Sequence, residues 1–211
     1  MISKRLIEIA KLVQRNKVVF DVGSDHGQLP CFLLKEGIVE KAYAGDINEG
    51  PLSSAKANIS KLHLEGKVIP VLSDGLSNAP EDVKQVVISG MGYYTIEHIL
   101  NNADVSKYDY FVVQSNTDVN YLRKYISNHN WTITDEKTVH DGFYYQIVCF
   151  TTEKHEPYSE MEIKYGPVLL EKMDETFKEY LNDQIRKLNT IYSMSNNPEI
   201  LRAIKEIENL L

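Results

Sequence analysis

Cysteine is scarce in this chain: Cys31 and Cys149 are the only two among 211 residues, and no Cys-x-x-Cys spacing occurs. A disulfide framework and a thiolate zinc site are thereby excluded, and both thiols are expected to pack in apolar surroundings. No apolar run approaches the ~18 residues of a membrane span. The opening Met-Ile-Ser-Lys-Arg-Leu-Ile-Glu lacks the apolar block of a signal peptide, so a cytoplasmic protein with no membrane partner is expected. His-Glu-x-x-His, Gly-x-Ser-x-Gly and a Walker-type glycine loop are all missing, which removes metalloprotease, serine-hydrolase and nucleotidase readings. No metal site is expected. Positive charge is also in deficit, with a net charge of -7. Taken over the whole chain this disfavours nucleic acid, whose affinity comes mainly from Lys and Arg on phosphates. The distribution is uneven, however. Lys4, Arg5, Lys11, Arg15 and Lys17 face only Glu8 near the start, whereas residues 153–211 are net acidic.

What the chain does contain is a strand signal, Val-Val-Phe-Asp-Val, running into Gly23-Ser-Asp-His-Gly27. A dinucleotide-binding turn would need glycine two positions after Gly23, where backbone approaches a pyrophosphate. Asp25 stands there instead. A carboxylate repels phosphate and suits a ligand bearing an ammonium and a sulfonium, which favours S-adenosylmethionine over NAD. Further apolar runs at 42–45, 68–72, 85–88 and 110–114 alternate with helical patterns at 28–36, 51–63, 92–101 and 118–128. That alternation predicts an α/β fold with a parallel sheet built through right-handed crossovers. Segments 131–139 and 143–150 flank Asp141-Gly142, a hairpin signal that adds two strands. Seven mostly parallel strands ending in a hairpin resemble the Rossmann-like layout of class I S-adenosylmethionine-dependent methyltransferases.

Residues 2–15 have the spacing of an amphipathic helix, with a basic stripe that either contacts RNA or faces solvent. Beyond Pro157 the pattern is helical: apolar residues from Leu170 to Tyr192 step by threes and fours, and the spacing restarts after Asn197-Pro198. Two antiparallel helices in coiled-coil contact are expected, since Pro198 favours folding back over a dimerising zipper. The chain is accordingly divided into a cofactor-binding domain, 1–152, and a helical domain, 153–211, in a monomer.

In an open parallel sheet, ligands sit beyond the carboxyl ends of the strands. Asp21, Gly23, Asp25 and His26 fall at the first such end. Asp46 and Ile47 fall at the second, where an acid can accept from a ribose diol; Asp74 and Gly75 at the third, where an acid can receive an adenine amine; and Gly90 and Met91 at the fourth. Each acid alone could be a turn or helix cap. Four in register with successive strand ends argue for one site. Met91, Gly92 and Asn116 are candidates for a catalytic role. Lys4, Arg5, Lys11, Arg15, Tyr93 and Gln114 are candidates for substrate contact.

Together, Asp21-Val-Gly-Ser-Asp-His-Gly-Gln-Leu-Pro30, Gly45-Asp-Ile-Asn-Glu-Gly-Pro51, Ser73-Asp-Gly-Leu76, Ser89-Gly-Met-Gly92, Asp141-Gly-Phe-Tyr-Tyr-Gln-Ile147 and Tyr165-Gly-Pro-Val-Leu-Leu170 closely resemble the bacterial tRNA (adenine-22-N1)-methyltransferase family, the TrmK type. The resemblance implies methyl transfer from S-adenosylmethionine to N1 of adenine 22 in tRNA. It also implies that Asp21, Gly23, Asp25 and His26 face the methionine part of the cofactor, Asp46 and Ile47 its ribose and adenine, Asp74 and Gly75 the adenine edge, and Gly90 and Met91 the transfer point. The family reads Gly-Gly after the Met; this chain has Gly92-Tyr93. Two other readings remain open at this level: methylation of a small molecule, and a cofactor-binding module without catalysis.

Overall fold

The computed structural model describes residues 2–211. Five parallel strands, Val19–Val22 (β1), Ala42–Asp46 (β2), Val68–Leu72 (β3), Gln85–Met91 (β4) and Tyr110–Ser115 (β5), are followed by a hairpin of Trp131–Asp141 (β6) and Phe143–Lys154 (β7). They form one sheet in the order β3-β2-β1-β4-β5-β7-β6, with β7 antiparallel to β5. Helices Lys4–Leu12 (α1), Gln28–Lys35 (α2), Glu49–Lys61 (α3), Tyr93–Asn101 (α4) and Val119–Asn128 (α5) cover its faces. Burial on both faces explains why β4 and β5 carry unbroken apolar runs, Val86–Ile88 and Tyr110–Val113, rather than alternating ones. One face is filled by Phe20, Ile88, Phe111, Ile126 and Phe150, with the Phe111 and Phe150 rings stacked at 4.7 Å. The other is filled by Ile9, Leu33, Val87, Val112 and Cys149. Both cysteines are free and buried, and burial pushes the Cys149 thiol up to about 12, so it packs as an inert apolar group.

Helix α1 is shorter than the expected 2–15. Ser3 caps its start, its hydroxyl accepting from the Leu6 N–H at 3.2 Å, and Val13 has already left the helix with ψ 130°. Beyond that point the buried Gln85 amide takes over the backbone. Its Oε1 accepts from the Gln14 N–H at 2.9 Å, and its Nε2 donates to the Gln14 and Lys17 carbonyls. Gln85 begins β4, so the end of α1 is tied to the amino edge of the sheet. The other end of α1 is tied to the carboxyl edge, where Asp141 at the hairpin tip accepts from the Arg5 N–H at 3.0 Å.

After β7 the chain forms Glu160–Tyr165 (α6), Pro167–Lys172 (α7), Glu175–Ser195 (α8) and Pro198–Glu208 (α9). The single helical run expected from Leu170 to Tyr192 is broken. Met173 adopts a left-handed φ of 41°, and Asp174 caps a new helix by accepting from the Phe177 N–H at 2.8 Å. The fold-back at Pro198 is present, capped by Asn197. Helices α8 and α9 pack through Phe177, Leu181 and Ile207. The tail is anchored to the sheet by a buried ion pair. Arg123 on α5, 0 % exposed, donates from Nε to Glu136 on β6 at 2.6 Å, and Glu136 Oε2 accepts from the Val168 N–H of α7 at 3.0 Å. Gly166 is required at that junction, because its φ is 97° and a Cβ there would meet Glu136 Oε1 at 2.8 Å.

Candidate active site

The loops at the carboxyl edge are shaped first by backbone. Gly23 has φ 68° and Gly90 φ 79°, a region glycine enters without Cβ strain. Beneath them Asp21 is buried on β1 and accepts from the Ser24 hydroxyl at 2.6 Å. Burial raises its carboxyl to about 7, with the Ser24 hydrogen bond opposing. Asp46 ends β2; its Oδ1 accepts from the Asn48 N–H at 2.9 Å, and Oδ2 has no protein partner among the described residues. Next to it Ile47 projects into solvent, 59 % exposed. Asp74 is exposed after β3, and Gly75, with φ 54°, leans on Ile99. Asp25 and His26 are exposed and pair with each other at 3.5 Å. His26 shares a hollow with Cys31, Phe32 and Asn58 rather than with the β4 and β5 ends.

Those β4 and β5 ends are stitched by amides. Gln114 Oε1 accepts from the Gly90 N–H at 3.1 Å, and Gln114 Nε2 donates to Asn116 Oδ1 at 3.1 Å. Asn116 Nδ2 donates to the Gly90 carbonyl at 2.7 Å, and its N–H donates to the Met91 carbonyl at 2.8 Å. Arg5 reaches in from α1, donating from Nη1 to Asn116 Oδ1 at 3.3 Å with its guanidinium 4.9 Å from the Tyr145 ring centre. The Gly90-Met91 loop is thus held in a defined place above Gly23. Gln114 is 0 % exposed and uses both ends of its amide, so it positions the loop rather than meeting a substrate.

The four basic residues expected to contact substrate are separated. Arg5 lies in the site. Lys4 is exposed at the same end of α1, Lys11 is paired with Glu8 at 2.7 Å, and Arg15 follows the helix near the amino edge. Tyr93 is buried, donating to Glu97 at 2.6 Å, while its neighbours Tyr94 and Tyr121 stand in solvent with their rings 5.3 and 5.6 Å from it. The sequence offers Tyr93 and Tyr94 alike for a base-binding pocket or for packing; the structure buries the first, exposes the second, and adds Tyr121 and Phe143, which the sequence did not single out as site residues. Helical spacing from Gly92 carries no signal for which of two consecutive tyrosines faces outward. Phe143, Tyr145 and Gln146 lay within a segment singled out for its resemblance, and their polar-aromatic mixture in a strand was the available signal.

The arrangement fits an S-adenosylmethionine-type cofactor. Gly23 has no side chain, which lets the Met91 thioether lie directly over the end of β1; Asp46 offers an unpaired acceptor beside the exposed apolar Ile47; and the carboxylates favour a cation. Among the described residues no three His, Cys, Asp or Glu side chains are grouped to hold a metal ion, and no helix is long and apolar enough to cross a membrane.

Comparison with known proteins gives the same direction. A Bacillus subtilis (strain 168) tRNA (adenine(22)-N(1))-methyltransferase is 26% identical over 200 residues, covering 90% of this chain and 84% of its own length. The structure of M. capricolum TrmK in complex with S-adenosyl-homocysteine superposes with a TM-score of 0.83 at 32% identity, covering 99% of this chain and 97% of that one. A Streptococcus pneumoniae protein in complex with S-adenosyl-L-methionine superposes with a TM-score of 0.89 at 28% identity over 100% of both chains. With strand-end acids, a glycine seat and a continuous family match from residue 19 to 211, this chain belongs to the TrmK family, tRNA (adenine(22)-N(1))-methyltransferase.

Proposed function

We propose that this S-adenosylmethionine-dependent tRNA (adenine(22)-N(1))-methyltransferase works through the residues gathered at the carboxyl edge of its sheet. Asp21, Gly23, Asp25 and His26 hold the methionine part of the cofactor, Asp46 and Ile47 its ribose and adenine, and Asp74 and Gly75 the adenine edge. When bound, the cofactor supplies a methyl group on a sulfonium. Gly90 and Met91 flank the transfer point, and Asn116 and Gln114 keep that loop from moving. Neutral adenine N1 carries an in-plane lone pair, so no side chain has to remove a proton before attack. The protein's work is alignment and exclusion of water. That account suits a site whose strongest features are fixed amides rather than a tuned base.

N1 is used in base pairing, so the adenine must leave any helix at an unstacking cost of a few kcal/mol. The exposed rings of Tyr94, Tyr121 and Phe143 around the site support this step, as surfaces on which displaced bases stack. Arg5, with Lys4 beside it, supplies phosphate contact in a chain that is acidic overall. The helical tail, residues 153–211, extends the tRNA-contacting surface, and the protein acts as a cytoplasmic monomer.

The family match over residues 19–211 is the observation that carries this reading. Incubation with labelled S-adenosylmethionine and bacterial tRNA, followed by mapping of reverse-transcription stops, tests it. A single new stop at adenine 22 is expected, because methylated N1 cannot pair. Label that stays out of RNA, or a stop elsewhere, overturns it.

A further inference from the structure

Beside the transfer loop lies a cleft of about 440 Å³, within the ~300–1,000 Å³ range of small-ligand sites. Its walls come from three separate parts of the chain: Arg5 on α1, Asn116 to Val119 after β5, and Phe143 to Gln146 on β7. Tyr180 of α8 closes it from the tail, its ring 5.6 Å from that of Tyr144. Asn116 divides this space from the transfer loop, since its side chain lines the cleft yet is bonded to Gly90 on the other side.

One polar group in the cleft is fixed by chemistry. Gln146 is 7 % exposed, and its Oε1 accepts from Arg123 Nη2 at 2.8 Å. Arg123 can only donate, and it is itself locked by Glu136, so the Gln146 amide cannot flip. Its nitrogen has no protein partner among the described residues and remains as an oriented donor for whatever occupies the cleft. Phe143 stands at the mouth, 75 % exposed, with its ring open to whatever enters the cleft.

We infer that this cleft holds a second, unpaired base of the tRNA, a neighbour of the target adenine, seated against Phe143 and Tyr145 with an acceptor atom on its edge bonded to Gln146 Nε2. The inference rests on the methyltransferase reading above and deepens it. A flat π-face suits the aromatic wall, the Arg5 guanidinium suits the adjoining phosphate, and a ring nitrogen or carbonyl oxygen suits the fixed donor. The Asn116 partition leaves the target itself on the other side, next to Met91. Because Tyr180 completes the cleft, the helical tail contributes directly to the RNA site.

The test uses the full chain and tRNA transcripts that carry a single abasic nucleotide at each of the two positions on either side of the target. One abasic position is expected to raise KM for wild-type protein roughly 10-fold, in the range of base–aromatic stacking, with kcat little changed. Phe143→Ala, a change at an exposed position that should fold normally, is expected to raise KM on intact tRNA by a similar factor. On the sensitive abasic transcript it should add no further loss, and affinity for S-adenosyl-homocysteine should stay at the wild-type value. Tyr180→Phe provides a second, milder probe of the same cleft. If no abasic neighbour alters KM, or if Phe143→Ala and the abasic loss multiply independently, the inference is overturned. A Phe143→Ala effect on kcat alone, insensitive to all neighbours, would instead make the cleft the pocket of the target and overturn it as well. Failure of wild-type protein to methylate intact tRNA at all would strike the underlying reading instead.

Discussion

Met91 lays its terminal methyl in the space that a side chain on Gly23 would occupy, so a Cβ at residue 23 would displace the end of the Met91 side chain at the mouth of the site. Gly23→Ala therefore introduces both a clash and a left-handed alanine at φ 68°. Affinity for S-adenosyl-homocysteine, read by calorimetry, is expected to fall at least about 10-fold, equivalent to ~1.4 kcal/mol. Adding Met91→Ala removes the clash but not the backbone strain, and should restore only part of the loss. Full-strength binding by the single variant would show that this turn does not touch the cofactor.

Asp46 presents one unpaired carboxylate oxygen at the end of β2. Asp46→Ala should weaken cofactor binding by roughly 1–3 kcal/mol, the penalty for hydrogen-bonding groups left unmatched. Unchanged affinity would remove Asp46 from the site.

Asp21 makes stability depend on pH in an identifiable direction. Its carboxyl has a folded value near 7 against an ordinary 3.8, because it is buried. Between those values the folded state holds a proton that the unfolded state releases. Asp21 therefore destabilises the fold increasingly as pH rises from about 4 to about 7, and by a constant amount above that. Urea unfolding of wild type and Asp21→Asn from pH 5 to pH 8 should show wild type losing ground to the variant across this interval. A cationic cofactor nearby favours the ionised carboxylate, so wild-type affinity for S-adenosylmethionine should improve over the same interval and flatten in the variant. Parallel stability curves for the two proteins would contradict a protonated Asp21.

The Arg123–Glu136 pair anchors the tail from a position without solvent. Arg123→Met leaves the buried Glu136 without its cationic partner, at a cost of about 3–5 kcal/mol, which for a protein of this size lowers Tm by roughly 6–20 °C. Adding Glu136→Leu should recover part of this. It cannot recover all, because the Val168 N–H then loses its acceptor. A Tm within a degree or two of wild type for Arg123→Met would mean that the ion pair is not what holds the tail.

Arg5 and Arg15 provide an internal comparison. Arg5 contacts Asn116 and Tyr145, whereas Arg15 is exposed beyond the end of α1. Arg5→Ala should lower kcat/KM for tRNA by roughly 10-fold to 100-fold, the range for a hydrogen bond to a charged group, while Arg15→Gln should stay within about twofold. Equal losses would restore a single basic stripe along the helix.

Much of the architecture was readable in the chain because local rules decided it. Continuous apolar runs such as Val86-Val-Ile88 mark strands covered on both sides, Asp141-Gly142 marks a hairpin, and Asn197-Pro198 marks a helix restart. The acids at the strand ends were readable for the same reason, since parallel order puts successive strand ends on one edge. Periodicity could not find the break at Met173 within an apolar helical pattern, because it arises from how α7 docks on Glu136. Nor could it stop α1 at Leu12, where a side chain from residue 85 captures the backbone of residue 14.

The amino-acid sequence by itself determined the sheet, its strand ends and the chemistry gathered there, because spacing, turn residues and carboxylates act over a few neighbours. Only the tertiary structure decided which polar groups remain available. Gln114 and Gln146 are the same residue type on adjacent strands, yet Gly90 and Asn116 consume the amide of one while Arg123 fixes the other with its donor left over. That difference turns on Gly90 and Arg123, 24 and 23 residues away in the chain, and on the exclusion of water that makes each hydrogen bond obligatory.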